Sequence, residues 1–312
     1  YYGTVVDLDA IMNRRDKEAP AIPVLVDQAH GSHFQGSLFP PGAVGQGADL
    51  VVHSTHKTLA ALTQAAMLHV KGNRIDRTEL KKALEILQTS SPSYLLMMSL
   101  ENAVTNLENH QLWEDLQEEV VQLRKKLDGP LRILTEKDAG FYGIKEVDWS
   151  KILVNVSPLE ISAAEAVDFL RASFRIEPEL WDERNILFML GAGNRPEEVR
   201  FLGRALESLV KRYSPKTGIP NSCRKGENFQ ACAEEGFLSE ALPPVRLTPR
   251  EAWLAPKKVV KVKESLGRIA GETISIYPPG IPLVAAGEEI TAGVLSCLVR
   301  ADEYNWQGWQ SF

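Results

Sequence analysis

The chain has 312 residues, of which 44% are hydrophobic and 24% charged, the usage of an ordinary folded protein long enough for two or three domains. A net charge of -6 disfavours the clustered basic face that nucleic-acid binding needs, and no run of 18 apolar residues is present to span a membrane. Cys223, Cys232 and Cys297 are an odd number without a C-x-x-C pair, which disfavours a disulfide framework and favours a reducing compartment.

In chain order, the first apolar run is Ile22 to Val26, ended by Asp27, Gln28, Ala29 and His30. A second run, Leu50 to Val52, leads into Ser54-Thr55-His56-Lys57-Thr58. Both have the length and β-branched content of strands buried on both faces of a parallel sheet. Ligands of open α/β sheets bind at the carboxyl ends of strands, so an acid and an amine delivered there from neighbouring strands can converge on one small molecule. Pyridoxal phosphate needs that pair: a lysine forms a Schiff base with its aldehyde, and an acid keeps its pyridine nitrogen protonated. Lys57 and Asp27 are the candidates. Read alone, Lys57 is equally a solvated lysine at a loop-to-helix junction.

The first 110 or so residues read as strand, loop, strand, loop and helix, with Gly42, Gly45 and Gly47 in a Pro-Gly connection. Tyr94 to Leu127 carries apolar residues at three- to five-residue spacing and predicts one long helix ended by Asp128-Gly129-Pro130. Residues 131–213 read as a small α/β domain. There a strand-like Lys151–Val156 alternates with a helix-like Ser162–Ser173, then Asn185–Leu190 and Pro196–Tyr213, and Ser162 with Glu165 matches a capping box. The acids of Ile176–Asp182 either face water or meet a cationic substrate end. Ser214 to Leu242 has no periodicity and predicts a linker, after which Tyr277-Pro278-Pro279-Gly280 forces a rigid extended turn in a C-terminal domain.

Four segments in order resemble the bacterial-type ornithine/lysine/arginine decarboxylases: DQAHGSHFQGSLFPPGAVGQGADLVVHSTHKTLAALTQAAMLHVKG (27–72), LQTSSPSYLLMMSLENA (87–103), LTPREAWLAPKK (247–258) and IYPPGIPLVAAGEEIT (276–291). The resemblance implies an α/β chain of fold type I, the pyridoxal-phosphate-dependent, aspartate aminotransferase-like three-layer α/β/α arrangement, with a small α/β domain and a C-terminal α+β domain. It implies boundaries at 1–110 for the C-terminal half of the cofactor domain, 111–215 for the small domain, and 216–312 for linker plus C-terminal domain. The helix from Tyr94 becomes the connector between the first two. Residue by residue, Lys57 matches the Schiff-base lysine, Asp27 the pyridinium partner, Ser54 a phosphate-reaching hydroxyl and His56 the histidine beside the lysine. Ala29 matches a small residue against the ring face. His30 stands where relatives reach the cofactor phenolic oxygen or the substrate carboxylate. The motif at 277–282, with Glu288, is implied to lie near the substrate entrance.

The implied activity is decarboxylation of arginine, lysine or ornithine to a polyamine-pathway amine and carbon dioxide, with arginine favoured on the DxAHG and STHKT spellings. Pyridoxal 5'-phosphate is the expected cofactor, a basic amino acid the substrate and a homodimer or higher homo-oligomer the assembly. No metal, nucleic acid or membrane is expected. The opening Tyr1-Tyr2-Gly3-Thr4 resembles a stretch inside the family's cofactor domain, and the phosphate-cradling loop and ring-stacking histidine have no counterpart. The expectation is therefore an N-terminally truncated chain. Cytoplasm is the default location, with a plastid left open because a transit peptide on the parent protein would not be seen. Two other readings stand beside this one. A truncated homologue with little activity would keep a partner-binding or regulatory role. A zinc hydrolase would use His30-x-x-His33 and His53-x-x-His56, although these pairs fall on strand ends and loops and lack a third ligand.

Overall fold

In the computed structural model, which describes residues 1–141, 143–214, 242–276, 281–303 and 309–311, the chain divides into two compact units, Tyr1–Cys232 and Ala233–Phe312. The first opens with strand β1 (Thr4–Val6) and helix α1 (Leu8–Glu18), whose start is fixed by the Asp7 carboxylate accepting from the Ala10 amide at 3.1 Å. Strand β2 (Leu25–Asp27) lies parallel to β3 (Leu50–His53), with Leu25 opposite Leu50 and Asp27 opposite Val52. The one-turn helix α2 (Thr55–Thr58) follows β3 directly, and β4 (Met67–Val70) returns antiparallel to β3.

The two apolar runs are thus adjacent parallel strands, as expected, but they are not buried on both faces. Side chains alternate along a strand, and here only one set is covered: Val51 is 1% exposed while Val52 is 38% and Leu25 60% exposed. The covered set, Val26 and Val51, packs with Leu8, Met12, Ala43 and Ala48.

Helix α3 (Arg77–Leu87) starts at Asp76, whose side chain accepts from the Thr78 and Glu79 amides. The single helix predicted from Tyr94 to Leu127 is two, α4 (Tyr94–Leu107) and α5 (His110–Leu127). Asn109 caps the second by accepting from the Leu112 amide at 3.4 Å, a residue type that favours a helix start over a helix interior. The apolar stripe is buried from Ala103 onward, through Trp113, Leu116, Val120, Leu123 and Leu127, whereas Tyr94, Leu95, Met97 and Met98 are exposed.

Strands β5 (Arg132–Ile133), β6 (Ile144–Val147) and β7 (Lys151–Asn155) follow, then α6 (Ala163–Phe174), β8 (Leu180–Trp181), β9 (Asn185–Met189) and α7 (Pro196–Tyr213). β6 pairs with β1, and the others form an antiparallel sheet in the order β5-β7-β9-β8. The Ser162–Glu165 capping box is present. β7 is central and every one of its residues is buried, Lys151 included. The core joins α5, α6 and α7 to this sheet through Leu116, Val120, Val167, Ile152, Ile186 and Leu206. Each such side chain contributes about 1.5–3 kcal/mol on burial. The loop after β2 is tied into the same core, because Phe39 stacks on Trp149 at 5.1 Å and the Trp149 indole donates to the Leu38 carbonyl at 2.9 Å.

In the second unit, α8 (Pro249–Leu254) starts at a Thr248–Glu251 capping box. Strand β10 (Ile274–Ile276) lies antiparallel to both β11 (Ile281–Val284) and β12 (Trp309–Ser311), and helix α9 (Ala292–Glu303) precedes β12. Its core is Ala270, Val284, Ile290, Val294 and Leu298. Glu288 accepts from the Ala285 amide at 2.7 Å. The predicted linker at 215–241 and the turn at 277–280 lie outside the described residues.

Candidate active site

The parallel pair β2–β3 delivers two loops to one edge of its sheet. Past β2, the Asp27 carboxylate is exposed and accepts from the Ala29 amide at 2.9 Å, a local turn that sets the path of the chain to His30. Past β3, Ser54 is the residue before α2 with no side-chain bond to the helix, and Lys57 in that turn is exposed. The two loops meet where Lys57 Nζ lies 3.3 Å from His30 Nε2. An ammonium only donates, so Nε2 is the acceptor and the neutral ring carries its hydrogen on Nδ1. Burial, then the charges of Lys151 and Lys57, push the His30 pKa down to about 3, which keeps the ring neutral at physiological pH. His30 Nδ1 is buried without a hydrogen-bond partner. The Tyr1 ring stands edge-on to His30 at 4.0 Å.

His56 Nδ1 lies 2.9 Å from the Ala65 carbonyl, so that nitrogen carries the hydrogen and Nε2 is the basic atom of the neutral ring. Ala29 is half-buried beside Asp27. The sequence-predicted residues therefore divide: Lys57 and His30 are in contact, Asp27 and Ala29 share the turn below them, and Ser54 and His56 flank Lys57 in the β3–α2 segment.

Behind these residues lies a polar cluster that the sequence reading passed over. Asp148, 1% exposed, accepts at one carboxylate oxygen from the Ser150 amide (3.0 Å) and hydroxyl (2.7 Å), and its other oxygen lies 2.9 Å from His33 Nε2. Burial pushes the Asp148 pKa up, but the His33 charge and the His33 and Ser150 hydrogen bonds bring it below the usual carboxylate range. Lys151 is also 1% exposed, and its Nζ has no hydrogen-bond partner. Gly3 makes room for it: at φ +91°, a Cβ there would sit 2.6 Å from Lys151 Cβ. Tyr1, Asp27, Gln28, His30, Asp148 and Lys151 line one cavity of about 170 Å³. The available signal was a lysine opening an otherwise apolar strand directly after Asp148-Trp149-Ser150.

The histidines of the zinc reading turn to separate partners: His30 to Lys57, His33 to Asp148, His56 to the Ala65 carbonyl, and His53 to Gln28 and His69 at 3.0 Å each. Among the described residues no three His, Cys, Asp or Glu side chains come together in a metal-holding group. The acids near Ile176 are also engaged. Glu177 accepts from Arg171 Nε at 2.7 Å, Glu179 accepts from the Tyr1 hydroxyl at 2.8 Å, and Asp182 accepts from the Arg184 and Asn185 amides. No described helix is long and apolar enough to cross a membrane.

The groups left available at the β2–β3 edge are an exposed amine, an exposed carboxylate and a buried, unpartnered imidazole nitrogen. They fit the ring end of pyridoxal phosphate, which asks for an amine at its aldehyde, an acid at its pyridine nitrogen and a polar contact near its phenolic oxygen.

The family model described as Orn/Lys/Arg decarboxylase, major domain, matches residues 1–148, and the model for the C-terminal domain of the same family matches 231–305. The chain belongs to the Orn/Lys/Arg decarboxylase family. It is 31% identical over 306 residues to an arginine decarboxylase of Bacillus subtilis, a match covering 96% of this chain and 59% of that protein. It is 33% identical over 301 residues to an arginine decarboxylase of Bacillus anthracis, covering 93% of this chain and 57% of that one. The chain thus spans less than two thirds of these relatives. Lysine decarboxylase A from Pseudomonas aeruginosa superposes with a TM-score of 0.73 at 20% identity, over 100% of this chain and 53% of that one. The fold is accordingly the mixed α/β fold type I of these enzymes.

Proposed function

We propose that this chain carries the lysine-bearing part of a pyridoxal-phosphate-dependent decarboxylase of a basic amino acid, with arginine favoured over lysine and ornithine. The observation that carries the reading is the meeting of Lys57 and a neutral His30 at 3.3 Å, at the carboxyl edge of a parallel strand pair, in a member of this family. When bound, the cofactor supplies an electron sink for the pair left by the departing carboxylate. Lys57 would hold it through its ε-amine, Asp27 would keep its pyridine nitrogen protonated, Ser54 would reach its phosphate, and Ala29 would leave room for the ring face. His30 accepts from the Lys57 ammonium and so orients that side chain, while its Nδ1–H remains free to donate. After carbon dioxide leaves, the Lys57 ammonium, or His56 once it has taken up a proton at Nε2, would return a proton to the substrate α-carbon. The intact protein is proposed to work in the cytoplasm as a homo-oligomer supplying polyamine-pathway amines, a proposal that rests on the family alone.

The test is borohydride fixation of pyridoxal phosphate on the 312-residue chain followed by peptide mass mapping, beside carbon dioxide release from arginine, lysine and ornithine. The label is expected on the peptide carrying Lys57 and is expected to vanish in Lys57→Ala. Label elsewhere, or none, overturns the assignment.

A further inference from the structure

The cavity behind His30 and Asp27 holds an electrostatic mismatch. The Lys151 stem is packed under Gly3 and its Nζ is fully enclosed, so the ammonium has left bulk water. The Asp148 and Glu179 charges act on it, but neither accepts a hydrogen bond from it: Asp148 bonds Ser150 and His33, and Glu179 accepts from the Tyr1 hydroxyl. The three donors of the Lys151 ammonium have no acceptor, an arrangement with a real cost in a buried place. His30 lines the same cavity, and its Nδ1–H is the second buried donor without an acceptor. Its hydrogen is placed there by the Lys57 contact on the opposite nitrogen. Both groups ask for the same thing, an oxygen acceptor, and one asks for negative charge.

The cavity volume of about 170 Å³ equals several water molecules at about 30 Å³ each, or a small organic anion. A planar carboxylate offers two oxygens and one negative charge, and charge-assisted hydrogen bonds to it are the strong kind. We infer that Lys151, with His30 Nδ1–H, forms a carboxylate-binding subsite in this cavity. The carboxylate comes either from the amino-acid end of a substrate or from a small free acid. The first source rests on the proposed decarboxylase reading and the second does not.

Reductive methylation of the 312-residue chain, read by peptide mass mapping, tests this at a single position. Acetate is expected to slow methylation of Lys151, by about eleven-fold at ten times its dissociation constant, relative to sodium chloride of equal ionic strength. Lys81, exposed on helix α3 and outside the cavity lining, serves as the internal reference. 5-Guanidinopentanoate, which has the carboxylate and guanidinium of arginine without its amine, distinguishes the sources. Protection at lower concentration than acetate points to a substrate carboxylate, and protection no better than acetate points to a free acid. Equal methylation of Lys151 in chloride, acetate and guanidinopentanoate overturns the subsite, and so does protection by chloride equal to that by acetate. Should Lys151 resist methylation throughout, the thermal midpoint decides. A rise in acetate over chloride that Lys151→Met abolishes supports the subsite, whereas a rise retained in Lys151→Met, or absent from the unaltered chain, overturns it. Failure of cofactor labelling at Lys57 leaves these readouts unaffected, so the two assignments fail separately.

Discussion

Replacing Lys151 by methionine should stabilise the first unit at neutral pH. Burial lowers the Lys151 pKa from 10.5 to about 8, with the Asp148 and Glu179 charges raising it only in part and the Lys57 charge lowering it further. At about 1.36 kcal/mol per pH unit, the difference of about 2.5 units between those values sets a cost of roughly 3 kcal/mol for holding the charged form in the fold. Methionine has a similar length, no charge and no donors, so it fits the same slot under Gly3 without that cost. Water entering the cavity would reduce the gain, and about 2 kcal/mol is a realistic lower figure. The pH dependence has a definite sign. Because the folded pKa lies below the unfolded one, the unfolded chain binds more protons between pH 8 and 10.5, so stability from this group rises across that window. Urea unfolding of the unaltered chain and of Lys151→Met, compared at pH 7 and pH 10.5, isolates the effect because other titrating groups cancel in the difference. The variant should lead by about 2–3 kcal/mol at pH 7 and lose most of that lead at pH 10.5. A variant less stable at pH 7, or a lead that does not shrink as pH rises, would refute the account of Lys151 as an unpartnered buried ammonium.

Gly3→Ala should destabilise the same unit by about 2 kcal/mol, because a left-handed backbone costs an L-residue about 1–2 kcal/mol and the new methyl meets Lys151 Cβ. Urea midpoints measure it, and combining Gly3→Ala with Lys151→Ala, which keeps the Cβ that the new methyl meets, should recover neither the clash nor the backbone strain. Asp27→Ala in the intact enzyme should retain cofactor yet lose most of its turnover. Steady-state rates with arginine check this, and near-normal activity would remove the pyridinium role.

The sequence and the structure agree most closely where local chemistry decides the outcome. Adjacent strands ending in Asp27 and leading to Lys57, the Ser162–Glu165 cap and the helix from Pro196 follow from residue type and spacing, which act within a few residues. The misreadings involve competition or distance. Apolar spacing runs unbroken from Tyr94 to Leu127, but the capping preference of Asn109 outweighs it and splits the helix. β-Branched runs imply burial on both faces, but burial depends on which layers pack there, and only the Val26–Val51 side is covered by α1 and the Pro-Gly loop. The His30-x-x-His33 spacing looks like a pair of ligands, yet His33 lies in a one-turn segment, Ser32–Gln35, that starts after His30, and the two rings turn to different partners, one to Lys57 and one to Asp148.

Lys151 was illegible for a different reason. Its significance lies in residues 118 to 148 positions away in sequence: Gly3 beneath its stem, His33 bonded to Asp148, and His30 at the same cavity. No local pattern marks a lysine whose counterion has been claimed by another residue. That same non-locality gives the cluster a purpose beyond packing. Both Asp148 oxygens have hydrogen-bond partners in His33 and Ser150, while His33 Nδ1 is buried without one, so the carboxylate is held without a hydrogen bond from Lys151. A protein under selection for stability alone would then be better served by methionine at 151. The ammonium is retained at a cost, at the wall of a cavity shared with Asp27 and His30, and such costs are concentrated where chemistry or binding requires them.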